Sequence, residues 1–170
     1  EALIANPAQP AIVRASAIEA LAALGAPPPA TALSDPDPVV RAAAAISLAA
    51  RPAPERLAGL APLLDDPLRA VRISAARGLA DLPDDALPTG RQPLRRQGLA
   101  DFIAAQQAMG DMPAAQVNLA LLHADTGDLA RAQTHFRRVV AQDPVSNAPR
   151  LALARFLVAP RQPADARQQL

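Results

Sequence analysis

The 170-residue chain contains no cysteine, lysine, tryptophan or tyrosine, and it has only three phenylalanines. Without cysteine it can form neither a disulfide nor a thiolate metal site, and it lacks the motif for covalent haem attachment. Because aromatic residues are so few, alanine and leucine must fill the interior, which favours closely packed helices over a β-sheet. The composition therefore predicts an all-α protein.

Neither the charge nor the apolar segments indicate a nucleic acid or a membrane as a partner. The 17 basic residues, all of them arginine, nearly balance the 16 acidic residues, and the net charge is +1. Such a balance provides no basic field that would attract nucleic acid. No apolar run approaches the roughly 18 residues that a transmembrane helix needs. We therefore predict neither nucleic-acid binding nor membrane insertion.

A ten-residue pattern, V-R-x-(S/A)-A-x-x-x-L-A, occurs three times, beginning at Val13, Val40 and Val71. A period of about 30 residues is typical of solenoids, in which each unit buries its apolar face against its neighbours. Most prolines fall between the periodic segments, where they can end helices. The pattern predicts a solenoid of stacked helical hairpins, with second helices over 11–24, 38–50 and 68–81.

Two of the repeat arginines have an aspartate at a constant distance before them. Asp35 lies six residues before Arg41, and Asp66 lies six residues before Arg72. This arrangement resembles the short HEAT-like repeats of bilin-lyase-type proteins. The resemblance implies that these aspartates and arginines pair along the stack and have structural roles.

The first unit departs from this pattern, because Ala8 stands where the aspartate would be. We therefore expect Arg14 to lack an acidic partner. The HEAT-like domain is predicted over residues 1–83. A segment rich in proline and aspartate follows, and we interpret residues 84–91 as a linker.

Beyond the linker a different spacing appears. A helix is predicted over 92–109, and the residues after it resemble a tetratricopeptide repeat, which consists of two antiparallel helices of about 34 residues in total. The matching residues are Leu119, Ala120, His123, Gly127, Ala132, Phe136 and Pro144. The resemblance implies a turn at Gly127 and close packing at Ala132 and Phe136. We predict a tetratricopeptide-like domain over 92–170, with an incomplete last repeat.

No constellation of residues indicates catalysis. His123 and His135 are the only histidines. They could reach one metal or haem iron supplied from elsewhere, but we favour a packed His123 and a solvated His135. The acidic pairs beside prolines are explained by helix capping, and the serines have no histidine partner in the sequence context. We predict no catalytic, cofactor-binding or metal-binding residue in this chain, and no enzyme activity.

The tetratricopeptide resemblance implies a groove lined by the first helix of each repeat. Its candidate residues are Val117, Asn118, Leu121 and Asp125, followed by Leu151, Arg155 and Val158. Asn118 stands where peptide-binding members of that family place an asparagine that holds the peptide backbone. An apolar groove of this kind would receive a helix or an extended segment. The alternative is that Val117 and Leu121 pack on a neighbouring helix.

The order of the two repeat types resembles the C-terminal region of bacterial periplasmic multihaem cytochromes c. Because the chain begins at Glu1, we interpret it as part of a longer protein, with any haem in an upstream part. The resemblance implies a haem-free segment that docks the electron carrier on a protein partner or joins its subunits as a homo-oligomer, in the periplasm. One alternative is a free-standing peptide-binding adaptor. Another is a recognition arm of an enzyme such as a bilin lyase or a peptidoglycan hydrolase. The cytoplasm is the alternative location.

Overall fold

A computed structural model of the chain describes residues 2–142 together with residues 151, 153 and 156. These residues form eight α-helices and no β-strand, which confirms the all-α prediction. The helices are α1 (Ala2–Ala5), α2 (Ala11–Ala23), α3 (Pro38–Leu48), α4 (Ala53–Leu60), α5 (Arg69–Gly78), α6 (Arg91–Ala108), α7 (Pro113–Asp125) and α8 (Leu129–Gln142). The chain divides into two compact units, unit 1 (Glu1–Ala108) and unit 2 (Met109–Leu170).

Unit 1 is a stack of repeats, each with a short first segment and a longer second helix. The first segments are α1, the 3₁₀ helix Ala30–Ser34, α4 with the 3₁₀ helix Pro62–Asp65, and the 3₁₀ helix Asp84–Ala86. The second helices α2, α3, α5 and α6 pack on one another in that order. This arrangement confirms the solenoid that the repeat pattern predicts.

Aspartate and proline residues define where the second helices begin. The Asp37 carboxylate accepts a hydrogen bond from the backbone N–H of Val39 at 2.9 Å, and Pro38 occupies the first turn of α3. The carboxylate satisfies an N–H that has no partner within the helix, and proline has no N–H to leave unpaired. The Asp-Pro sequences therefore place the repeat arginines one turn into their helices.

Small residues allow the second helices to approach one another closely. Ala44 and Ala45 of α3 and Ala75 of α5 are fully buried in the core of the stack. Gly98 marks the closest approach of α6 to α5. A Cβ atom at Gly98 would lie 2.6 Å from the Ala76 Cβ and 3.1 Å from the Arg72 carbonyl oxygen. The alanine-rich composition thus produces a tightly packed stack of helices.

The division of the chain differs from the predicted one. We predicted a linker over 84–91 and a second domain from residue 92, which would separate α6 from the HEAT-like stack. The boundary between the compact units instead lies between Ala108 and Met109, and α6 packs on α5. The physical reason is Gly98, whose lack of a side chain lets α6 continue the stack.

Unit 2 contains the helical hairpin of α7 and α8, which pack against each other. Gly127 has a φ of +81° in the short turn between them, a conformation that glycine adopts without steric cost. Ala132 and Phe136 are buried between the helices, and the Phe136 ring lies 5.3 Å from the Phe156 ring. These positions are the ones that the spacing of the sequence predicted for the turn and for the packed residues.

Candidate functional site

The repeat arginine of α3 joins two neighbouring repeats of unit 1. Its Nε donates to Asp66 Oδ2 at 2.7 Å and its Nη2 donates to Asp66 Oδ1 at 3.0 Å, so that two parallel bonds hold the carboxylate of the next repeat. The Nη1 of Arg41 donates to the carbonyl oxygens of Asp35 and Pro36 at 2.8 and 3.1 Å. Such bidentate pairs between ionised groups are the strong hydrogen bonds of proteins. Arg41 therefore fixes both the turn before its own helix and the turn of the next repeat.

Asp66 is buried, and two opposing effects act on the pKa of its carboxyl group. Burial raises this pKa, while the hydrogen bonds from Arg41 and from the Leu68 N–H lower it. The result is a pKa below the usual value of an aspartate. Asp66 is thus held as a carboxylate, which is the form that pairs with Arg41.

Arg14 pairs with Asp35, so the expectation that Arg14 lacks an acidic partner is wrong. The expectation failed because Arg14 and Arg41 each pair with the aspartate of the following repeat, not with the position six residues before their own. Arg14 is buried, and Asp35 also accepts a hydrogen bond from the Asp37 N–H at 2.9 Å. The predicted structural residues Arg14, Asp35, Arg41 and Asp66 therefore form a ladder along the stack.

Among the large aliphatic side chains that are exposed on the second helices, three lie at related positions. Ile12 is 66% exposed on α2, and Val39 and Ile46 are 46% and 62% exposed on α3. Ile12 and Val39 both stand two residues before a repeat arginine, so they occupy equivalent positions on neighbouring helices. We call these three residues the exposed aliphatic face. The sequence analysis missed it, although their positions relative to the repeat arginine could have revealed it.

The structure describes five of the seven residues that were predicted to line the groove. Val117, Asn118, Leu121 and Asp125 lie on α7, where Leu121 is exposed and Val117 is half-buried. Leu151 is also exposed. Arg155 and Val158 lie outside the described residues. The structure therefore brings four of the seven predicted residues onto one helix.

A buried polar cluster lies between α7 and α8. The imidazole rings of His123 and His135 are stacked, with centroids 5.4 Å apart and an angle of 6° between their planes. His135 Nδ1 lies 2.8 Å from Gln116 Oε1, and Gln116 Nε2 donates to the Gly110 carbonyl oxygen at 2.6 Å. Since Gln116 Oε1 can only accept, His135 Nδ1 is the donor. His123 is buried as predicted, whereas the predicted solvated His135 is half-buried.

The pKa values of both histidines lie below the usual value of an imidazole. Burial lowers the pKa of His123, an effect that Asp128 opposes and Arg131 reinforces. Burial also lowers the pKa of His135, and His123, Arg138 and Arg131 lower it further. Burial therefore disfavours a proton on either ring, and neighbouring positive charges add to this effect at His135.

Within residues 2–142 and the three described positions beyond them, no group of three or more potential ligands is arranged to hold a metal ion. Several acidic residues of unit 1 have structural roles, since Asp66 and Asp84 bind arginine side chains. Asp66 and Asp37 also accept hydrogen bonds from the backbone N–H groups at helix starts. The described polar residues of unit 1 thus stabilise the stack.

The stacked hairpins and the arginine–aspartate ladder define unit 1 as an α-solenoid of the class that presents protein-binding surfaces. A family model of HEAT repeats matches residues 2–80 and 26–101, so the chain belongs to the HEAT-repeat family. Comparison with curated proteins gave no match, and comparison with solved structures gave none. None of the described helices has the length and apolarity to cross a membrane.

Proposed function

We propose that this chain is a non-catalytic scaffold that binds another protein through the exposed aliphatic face. The observation that carries the proposal is the exposure of Ile12, Val39 and Ile46 at related positions on adjacent second helices. Single exposed aliphatic residues are common on protein surfaces, whereas several at related positions on adjacent helices are available to one partner. HEAT repeats themselves support a role in protein–protein interaction.

Site-specific photo-crosslinking in the native host tests this surface. A photoreactive residue at position 46 is compared with one at Ala58, which is exposed on α4 of the same unit. We expect one defined adduct from position 46 and none from position 58. We also expect Val39→Glu to remove the adduct, because a charge in an apolar contact is costly to desolvate. Equal adducts from both positions would contradict the proposal.

In this proposal the chain is the haem-free C-terminal segment of a periplasmic multihaem cytochrome c, and it docks the electron-carrying part on a protein partner or joins its subunits. The proposal is supported by the order of the segments, with HEAT repeats first and a helical hairpin after them. The test is a visible absorption spectrum and a haem stain of the full-length protein from its host. Covalent haem supports the proposal, and a colourless full-length protein excludes it.

A free-standing peptide-binding adaptor is the second candidate, and the exposure of Leu121 on α7 favours it. An apolar residue at this position would contact a bound helix or strand. We expect peptide binding to be lost in Leu121→Arg and in Asn118→Ala, while the circular dichroism spectrum stays helical. Unchanged binding by both variants would exclude this groove.

A further inference from the structure

Arg72 is held by its own turn in the same way as Arg41. Its Nη1 donates to the carbonyl oxygens of Asp66 and Pro67 at 2.8 and 3.0 Å. The Nη1 of Arg41 makes the equivalent bonds to Asp35 and Pro36. The two guanidinium groups therefore occupy equivalent places in successive repeats, and both are oriented before any carboxylate binds.

The two arginines differ at the other edge of the guanidinium group. In Arg41 the Nε and Nη2 atoms bind the Asp66 carboxylate. Among the described residues no carboxylate contacts these atoms of Arg72. Two acidic residues of the next repeat bind other arginines, because Asp84 binds Arg95 and Arg96, and Asp101 binds Arg69.

The Nε and Nη2 edge of Arg72 has the properties of a carboxylate receptor. A guanidinium group stays charged at all physiological pH values, and this edge matches the two oxygens of a carboxylate. Arg72 is half-buried, and its carbonyl partners already restrict its side chain. A ligand would therefore bind with a smaller loss of side-chain freedom than at a mobile surface arginine.

We propose that Arg72 binds an aspartate carboxylate of a partner protein, presented in an Asp-Pro turn such as the one that Asp66 forms for Arg41. This inference rests on the proposed scaffold function, to which it adds a charged anchor and the chemistry of the segment recognised. The internal precedent is direct, because an arginine at the equivalent repeat position already holds such an aspartate at 2.7 and 3.0 Å.

The test is an NMR titration of the intact chain with labelled arginine, following the Nε–Hε resonances of Arg72 and Arg41. The probe is a capped peptide with the sequence of residues 64–68, LDDPL. The control peptide has asparagine in place of both aspartates. We expect the Arg72 resonance to shift with half-saturation at about 1 mM peptide, which corresponds to a binding free energy of roughly −4 kcal/mol. The Arg41 resonance should stay in place. In Arg72→Lys, which lacks the reporting resonance, isothermal titration calorimetry should find no saturable binding of the peptide that the unchanged chain binds.

Three results would overturn the proposal. The first is no shift of Arg72 up to the solubility limit of the peptide. The second is an equal shift with the asparagine peptide or with sodium chloride at matched ionic strength, which would indicate a general salt effect. The third is acetate binding as tight as that of the peptide, which would indicate a site for small anions. No partner protein is used, so this test and the photo-crosslinking test of the scaffold can fail separately.

Discussion

The planar guanidinium group of a repeat arginine can bind two neighbouring turns at once. Arg41 uses Nη1 for the carbonyls of its own turn and the Nε and Nη2 edge for the next repeat. A lysine has a single ammonium group and could not make both sets of bonds in this geometry. The ladder therefore fixes the register of successive repeats in addition to any stability that it contributes.

Removal of one partner from the Arg41–Asp66 pair should destabilise unit 1 strongly. We expect Arg41→Met to lower the free energy of unfolding by about 3 kcal/mol, because it leaves the buried Asp66 carboxylate without the guanidinium group that binds both of its oxygens. The double variant Arg41→Met with Asp66→Leu should recover part of this loss, since no charge then remains buried. Urea denaturation followed by circular dichroism measures the free energy of unfolding of the unchanged chain, of Arg41→Met and of the double variant.

The exposed pair Arg51–Glu55 is the matched control for this experiment. Its side chains are 31% and 44% exposed, compared with 11% and 5% for Arg41 and Asp66. Exposed ion pairs contribute about 1 kcal/mol or less, so Arg51→Met should change stability little. Equal losses from Arg41→Met and Arg51→Met would show that the ladder is not a buried interaction.

At the scale of the helices, the contact between α5 and α6 depends on the missing side chain of Gly98. We expect Gly98→Ala to destabilise unit 1 by about 1–3 kcal/mol, although alanine is the better helix former by about 1 kcal/mol. The new Cβ would lie 3.1 Å from the backbone carbonyl of Arg72, which cannot move without shifting α5. Gln97→Ala, at the exposed neighbouring position, is the control. A more stable Gly98→Ala variant in urea denaturation would contradict close packing.

The histidine pair between α7 and α8 should make unit 2 less stable at acidic pH. Both pKa values are lowered in the folded chain from the usual value of 6.5. As the pH falls through that value, the unfolded chain takes up protons that the folded chain does not bind, so stability is lost. We expect a lower thermal midpoint for unit 2 at pH 5 than at pH 7.5.

NMR of the imidazole protons tests the cause of this pH dependence directly, because the chain has only two histidines. Both folded-state titration midpoints should lie below 6.5. Replacement of both histidines by glutamine should remove the pH dependence between 5 and 7.5 from the thermal midpoint of unit 2. A midpoint above 6.5 for either ring would contradict a neutral stacked pair.

At the scale of the whole molecule, the repeat pattern was sufficient to predict the fold class and the second helices. The valine, alanine and leucine of the pattern are spaced four residues apart and mark one helical face, and the Asp-Pro pairs mark helix starts. Both are local signals. The direction of pairing in the ladder was not predictable, because Asp35 is close in sequence to Arg41 and only the fold places it at Arg14.

The domain to which α6 belongs was predicted differently for a related reason. Phe102 lies 34 residues before Phe136, which matches the length of a tetratricopeptide repeat. The role of Gly98 depends on Ala76 and Arg72, which are distant from it in sequence.

The repeats also allow one substitution to be compared at three equivalent positions. Val13, Val40 and Val71 each precede a repeat arginine, but Val13 is 38% exposed and the other two are fully buried. The difference follows from the stack, because α3 and α5 each pack on the second helix before them and the described residues place no second helix before α2.

Loss of two buried methyl groups should lower the free energy of unfolding by about 2 kcal/mol in Val40→Ala and Val71→Ala, and by less than about 0.5 kcal/mol in Val13→Ala. Urea denaturation of the three variants at two protein concentrations measures this difference. If Val13→Ala proved as costly as the others, and the cost rose with protein concentration, the face of α2 would be covered by a second copy of the chain in solution.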